Sequence, residues 1–179
     1  MIADEAARGS IPPPWFCALP GIERMQVFSQ GLMLLPPLAR LQGMRAAHVG
    51  PGSGTWTTPA SAWTRGLVGM LDICAFVETA LTGVSITAAP PGHEVVPRTL
   101  VINYFRPHRS HTGNLLARGR VVNTSSFFAF SEAEIEDPEG RQIAHAAGQF
   151  AIRRVDPHRP SCLQQRSRCT HRPIPTFAE

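Results

Sequence analysis

The chain has 179 residues, a length that suits one domain, and 43% hydrophobic content, enough for a folded core. Its formal net charge is +4, and all 17 basic residues are arginine. Four of these arginines (Arg159, Arg166, Arg168 and Arg172) follow Val155, so the basicity gathers in a C-terminal tail while the rest is nearly balanced. There is no basic stripe with interleaved aromatics, which argues against a nucleic-acid partner. The four cysteines, Cys17, Cys74, Cys162 and Cys169, match no common zinc spacing, and no metal site is expected.

In chain order, residues 1–20 read as a loose arm, with prolines at 12, 13 and 14. Its apolar run 15–19 is short and bracketed by proline, unlike a signal peptide. A short helix is expected over 22–35, stopped by Pro36 and Pro37. Residues 43–50 and 54–58, joined by Pro51-Gly-Ser-Gly54, read as a hairpin.

Residues 66–89 form the central feature. Apolar side chains cover every side of the helical wheel, the mark of a helix surrounded by protein. The stretch is long enough to suggest a membrane span, but Asp72 and Glu78 interrupt it, and no membrane association is expected. Cys74 falls in this apolar stretch and reads as a small core residue. The helix ends at Pro90-Pro-Gly92. Strands are expected at 99–105, 115–123, 127–136 and 141–152, with a tight turn at Asp137-Pro-Glu-Gly140. In the third, the odd positions from Phe127 to Ile135 share a face, and the even face ends in Glu132, Glu134 and Glu136. In the last, Ala144, Ala146, Gly148, Phe150 and Ile152 share a face small enough to lie against a helix. One buried helix with five or six antiparallel strands is an α+β architecture. The domain is placed at 21–154, followed by a flexible tail at 155–179.

Several landmarks then occur in order: Leu41-Gln-Gly-Met44, Val49-Gly-Pro-Gly-Ser53, Ala60-Ser-Ala-Trp63, Asn103-Tyr-Phe-Arg-Pro107, and a final hairpin containing Glu-Asp-Pro-Glu-Gly140 and Ala144-His-Ala-Ala-Gly-Gln-Phe-Ala-Ile152. With these, residues 41–152 resemble the hotdog-fold acyl-CoA thioesterases of the phenylacetic-acid-degradation type. The resemblance implies an antiparallel sheet wrapped around one long helix, and hydrolysis of acyl-CoA or acyl-carrier thioesters. It also implies a homodimer or dimer of dimers and no cofactor; with neither a signal peptide nor a membrane span read from the sequence, the expected location is cytoplasmic.

The family's helix begins Gly-Val-Leu-His-Gly-Gly and carries a catalytic acid twelve places after the first glycine and fourteen before the Pro-Pro-Gly glycine. Both counts select Glu78 and reject Asp72. Glu78, expected to be buried with a raised pKa, is then the base or nucleophile. Thr82 and Ser85 share its helical face and complete a polar stripe toward substrate. By register the oxyanion donors are the backbone N–H groups of Leu71 and Met70 near the helix start. Asn103 is a candidate for the substrate channel and Arg106 for the nucleotide phosphates. Arg118 and Arg120 read as a solvated face, and His145 as an outward side chain. The chain departs from the family in having Glu for Asp, Gly69-Met70-Leu71 for His-Gly-Gly, and Thr124-Ser-Ser126 where a Gly-Arg/Lys pair often helps hold CoA. These departures keep open a second reading, a non-catalytic hotdog that binds an acyl ligand or a protein partner. A hydratase, which would want a histidine near the helix start, ranks behind both.

Overall fold

The computed structural model describes residues 14–60, 66–107 and 113–155, with the side chains of residue 14 and residues 66–72 outside that description. The elements run α1 (Pro14–Ala18), α2 (Gly21–Ser29), α3 (Pro37–Leu41), β1 (Arg45–Gly50), β2 (Ser53–Pro59), α4 (Gly66–Thr87), β3 (His93–Tyr104), β4 (Asn114–Thr124), β5 (Phe128–Glu136) and β6 (Gln142–Arg154). The six strands make one sheet in the order β1-β2-β4-β5-β6-β3, antiparallel throughout. The 22-residue α4 lies against its inner face and touches β2 through β6. This is the expected α+β hotdog architecture. Among the described residues no helix is long and apolar enough to cross a membrane.

Strand periodicity explains the register. In β5, Ala129, Ser131, Ala133 and Ile135 are buried against α4, while Phe128, Phe130 and Glu134 face solvent. Phe127 departs from the expected face: it precedes β5 in a turn whose Ser125 N–H donates to the Phe128 carbonyl, and its ring is exposed. In β6, Ala144, Ala146, Phe150 and Ile152 turn inward. His145 and Ala147 lie on the outer face, beside the Arg118–Glu136 and Arg120–Glu132 ion pairs.

The first expected helix is shorter than its apolar pattern suggests. α2 ends at Ser29, and Gly31, at φ 70°, takes the left-handed turn that follows. The arm has an ordered end instead of being loose up to residue 20. Phe16 of α1 is buried with its ring 5.4 Å from that of Phe28, and the Cys17 carbonyl accepts the Gly92 N–H at 2.8 Å. Arg24 of α2 is buried and donates to the His93 carbonyl at 2.7 Å, so the N-terminal helices clamp the loop after α4. β3 begins six residues earlier than the sequence suggests. Pro97, which removes a donor, is tolerated because β3 is an edge strand, and the register shifts between Pro97 and Thr99.

Trp56 fills the space between helix and sheet. Its indole is fully buried, and it slots against glycines: a Cβ at Gly83 would fall 2.5 Å from Trp56 Cζ2, and one at Gly54 2.5 Å from Cη2. Alanine at position 83 would gain about 1 kcal/mol of helix propensity, but overpacking a rigid buried ring costs about 1–3 kcal/mol. Gly83→Ala is therefore expected to lower stability, and urea denaturation checks the sign.

The β5–β6 turn depends on Asp137. Its carboxylate accepts from the backbone N–H groups of Glu139 (3.1 Å) and Arg141 (2.9 Å) and from Arg141 Nε (2.8 Å). Burial pushes this carboxyl up, but the Arg141 guanidinium and the two amides outweigh burial and hold it below the usual carboxylate range. A depressed folded pKa contributes stability that is complete above the unfolded value and lost as pH falls through the folded one. Melting temperature measured against pH should thus fall below about pH 4, and Asp137→Asn should flatten that dependence.

Candidate active site on the open face of α4

The sheet covers most of α4 but not all of it. Phe76, Val77, Ala80, Leu81 and Val84 are fully buried, whereas Cys74, Ala75, Glu78, Thr79, Thr82 and Ile86 are at least partly open. These open positions follow the 3.6-residue period and make a stripe along one side of the helix. Glu78 is the one charged residue in 73–87, and it is exposed in the single chain. The burial expected from its apolar surroundings is not found, because the sheet stops short of this side. Thr82 is half-buried one turn further on. Thr79 donates its hydroxyl to the Ala75 carbonyl at 2.9 Å, so its oxygen stays close to the helix backbone.

The stripe divides beyond Thr82. Ser85 shares the wheel angle of Glu78, but two turns along β5 closes over the helix. Ser85 is fully buried there, its Oγ 2.7 Å from Ser131 Oγ, so each hydroxyl satisfies the other. Glu78 and Thr82 are brought together on the open side; Ser85 faces the sheet.

β3 borders the open side. Leu100, Ile102 and Tyr104 lie opposite Gly148, Ala146 and Ala144 of β6, on the inner face of the sheet. Leu100 and Ile102 are packed on the core, while Tyr104 stays partly exposed. Burial pushes the Tyr104 phenol up, and the Cys74 thiol adds to the shift. Neither Cys74 nor Tyr104 was singled out by sequence as a site residue. The available signal was spacing, since Cys74 precedes Glu78 by four residues on a largely apolar helix.

The other sequence-selected residues are more dispersed. Asn103 pairs with His145, which pairs with Glu134, a row on the outer face of the sheet and across it from Glu78. Arg106 is exposed just past the end of β3, with its backbone N–H directed to the Ile143 carbonyl at 3.4 Å. Met70 and Leu71 lie in α4, but the helix already starts at Gly66, so they occupy its second turn. In a regular helix the amides without an intrahelical acceptor are the first four, residues 66–69 here. Among the described residues no cluster of His, Cys, Asp or Glu is arranged to hold a metal ion. Cys162 and Cys169 lie outside the described residues.

With this geometry established, comparison with known proteins shows what the chain is similar to. The thioesterase superfamily model matches residues 73–144, from the first open turn of α4 into β6. Solved structures share the fold. A thioesterase from Haemophilus influenzae superposes with a TM-score of 0.62 at 17% identity, covering 75% of this chain and 94% of its own. A thioesterase family protein from Silicibacter pomeroyi gives 0.64 at 15% identity, covering 73% and 99%. The phenylacetic acid degradation protein of Thermus thermophilus gives 0.56 at 24% identity, covering 64% and 97%. No curated protein matches the chain significantly. The fold is that of the hotdog thioesterases. More particularly, the chain resembles hotdog thioesterases that include the phenylacetic-acid-degradation type, as its sequence landmarks imply.

Proposed function

We propose that this protein hydrolyses acyl thioesters of CoA or a carrier protein, with Glu78 providing the carboxylate. The observation that carries this reading is the position of Glu78. It is the one charged side chain in 73–87, it stands on the open side of the helix, and it lies in the segment matched by the thioesterase family. A lone carboxylate on an apolar surface, reachable by a bound substrate, suits a base that activates water or a nucleophile that attacks the carbonyl carbon. Thr82 could position the substrate from the next turn. The partly exposed apolar side chains of Ile86, Leu100 and Ile102 provide surface for an acyl chain.

The oxyanion is assigned by register to the N–H groups of Met70 and Leu71. Because α4 extends back to Gly66, donation requires the first turn to release those amides from their helical acceptors. Gly66 and Gly69 make such an opening inexpensive. Arg106, exposed past the end of β3, is the proposed contact for a nucleotide phosphate. Asn103 could contribute to substrate binding only where a second chain meets the outer face of β3.

Thiol release from a panel of acyl-CoAs tests the reading. Glu78→Gln keeps the shape and removes the base, and it should lower turnover about 10²–10⁴-fold. Equal turnover in the two proteins would refute the role of Glu78. Tight acyl-CoA binding without thiol release would favour a non-catalytic acyl binder, a reading supported by the absence of His-Gly-Gly at residues 69–71.

The same geometry supports a homodimer or dimer of dimers. β3 is a twelve-residue edge strand with one side unpaired, and it runs beside the open stripe of α4. A second copy meeting that edge would cover both features at once. Sedimentation velocity is expected to give two or four protomers per particle; monomer alone at assay concentrations would count against a shared site.

A further inference from the structure

Successive residues of α4 step across the sheet in strand order. Gly83 abuts Trp56 of β2, where a Cβ would fall 2.5 Å from the ring. Val84 lies over β4, its Cγ1 3.4 Å from the place of a Cβ on Gly119. Ser85 meets Ser131 of β5, Oγ to Oγ, at 2.7 Å. Each residue turns the helix by about 100°, and the directions that come next in this rotation belong to Glu78, Thr82 and Ile86. These three therefore look past β5 toward β6 and the edge strand β3.

The strand rows fix the level of each group along this side. Ser131, Gly148 and Leu100 share one inner row, Ala133, Ala146 and Ile102 the next, and Ile135, Ala144 and Tyr104 the one after. α4 advances in the sense of β4, since Val84 lies on Gly119 and the Thr87 hydroxyl accepts from the Gly52 N–H, whose carbonyl accepts from Val121. Rows are about 7 Å apart, and four helical residues advance about 6 Å. Counting back from Ser85, Ile86 is level with Leu100, Thr82 lies near Ile102, and Glu78 lies between Ile102 and Tyr104. A trough thus runs between α4 and β3, with Glu78 near one end and aliphatic side chains along the rest. It is short. Gly21 donates its N–H to the Ala89 carbonyl, and a Cβ on Gly21 would overlap the Ile86 carbonyl oxygen, so the start of α2 closes the space beyond Ile86. Buried Arg24 holds that closure by donating to the His93 carbonyl at 2.7 Å.

We infer that this trough measures the acyl chain, and that the substrates are medium-chain aliphatic thioesters of roughly eight to ten carbons. The inference rests on the thioesterase reading for its chemistry, but not for chain binding. Glu78 and Ile86 are separated by eight helical residues, about 12 Å. An extended hydrocarbon advances slightly less than one bond length per carbon, so a chain with its carbonyl at Glu78 spans that distance in roughly eight to ten carbons. The chain passes Ile102 and Leu100, and its methyl end meets Ile86 and the stop formed by Gly21. Each methylene that leaves water along this path raises affinity by up to about fourfold, and carbons beyond the stop return to solvent and add nothing. No charged residue occurs in 79–87 or 99–105, so a chain ending in a second carboxylate finds no partner and is rejected.

The experiment is calorimetric titration of the full chain with S-alkyl-CoA thioethers, from ethyl to hexadecyl, alongside thiol release from the matching acyl-CoAs. The thioethers cannot be hydrolysed, so they read the trough apart from the chemistry. Affinity and kcat/KM should rise about two- to fourfold per methylene and level off at roughly eight to ten carbons. Ile102→Phe, which fills the trough near its middle, should move that plateau to roughly four carbons and lower the octanoyl-to-acetyl ratio of kcat/KM about tenfold or more. Ile86→Phe, at the closed end, should shorten the plateau by about two carbons and carries the test if circular dichroism shows Ile102→Phe unfolded. The same affinity pattern without thiol release would uphold the trough and refute the hydrolase. Thiol release with affinity indifferent to chain length, or still rising at hexadecyl, would overturn the inference and leave the hydrolase standing. A plateau unmoved in folded variants would overturn it as well, and neither binding nor release would refute both.

Discussion

The long helix can lie against the sheet only because the inner face of the sheet is lined with small side chains. Ala117, Ala129, Ala133, Ala144 and Ala146 are all buried there, with Gly119 and Gly148 in the same rows. Larger residues at these positions would hold α4 away from the strands and open a gap lined by atoms without partners. Trp56 then fills the remaining space from β2. The ring needs Gly54 and Gly83 to have no Cβ, so helix and strand are fixed relative to each other by one side chain. Close approach and a single large filler together determine which side of α4 is covered and which is left open.

That choice makes the candidate site. A sheet of six antiparallel strands curves around the helix but does not close, and β1 and β3 remain edges. The side of α4 near β3 is therefore open, and it carries Glu78. The same carboxylate one position earlier, at Val77, would be fully buried without water or partner and would cost several kcal/mol. Ser85 shows the other outcome on nearly the same helical angle. Where β5 does close over the helix, a polar group is kept only because Ser131 meets it. Polar residues on one helical face can thus have different fates, decided by how far the sheet extends.

Much of this was legible in the sequence. The all-apolar helix, the alternation in β5 and the row of small residues in β6 are local patterns, and each reports the element that it forms. What stayed hidden depends on neighbours distant in the chain. The helical wheel of α4 shows that residues are apolar on every side, but it cannot show that β3 leaves one side uncovered; hence Glu78 was expected to be buried. β3 was recognised only from Thr99, because Pro97 reads as a strand breaker and nothing local marks the strand as an edge. Asn103 was read as a channel candidate, yet the pairing with His145 puts it on the outer face. The register of β3 against β6 decides that, and it shifts at Pro97. Residues 14–18 were read with the arm because their helix is short, and what keeps it in place is Phe16 against Phe28.

The mismatch over Glu78 also bears on assembly. A largely apolar helix with Glu78 near its middle looks, in sequence, like the helix of an enclosed site, whereas in a single chain that carboxylate meets solvent. Both descriptions hold if the enclosing surface comes from a second copy. The exposed stripe and the unpaired edge of β3 are adjacent, and Val101 and Phe105, large apolar residues in and just after β3, are also exposed. The first half of β3 is blunted by Glu94, Pro97 and Arg98, whereas residues 99 to 105 carry no charge, so only that part of the edge is left open for pairing. Pairing there would remove apolar surface from water, satisfy the backbone groups of the edge, and lower the dielectric around Glu78 once substrate is bound. In such a pair the edge would set the register, and the register would set which groups face the stripe.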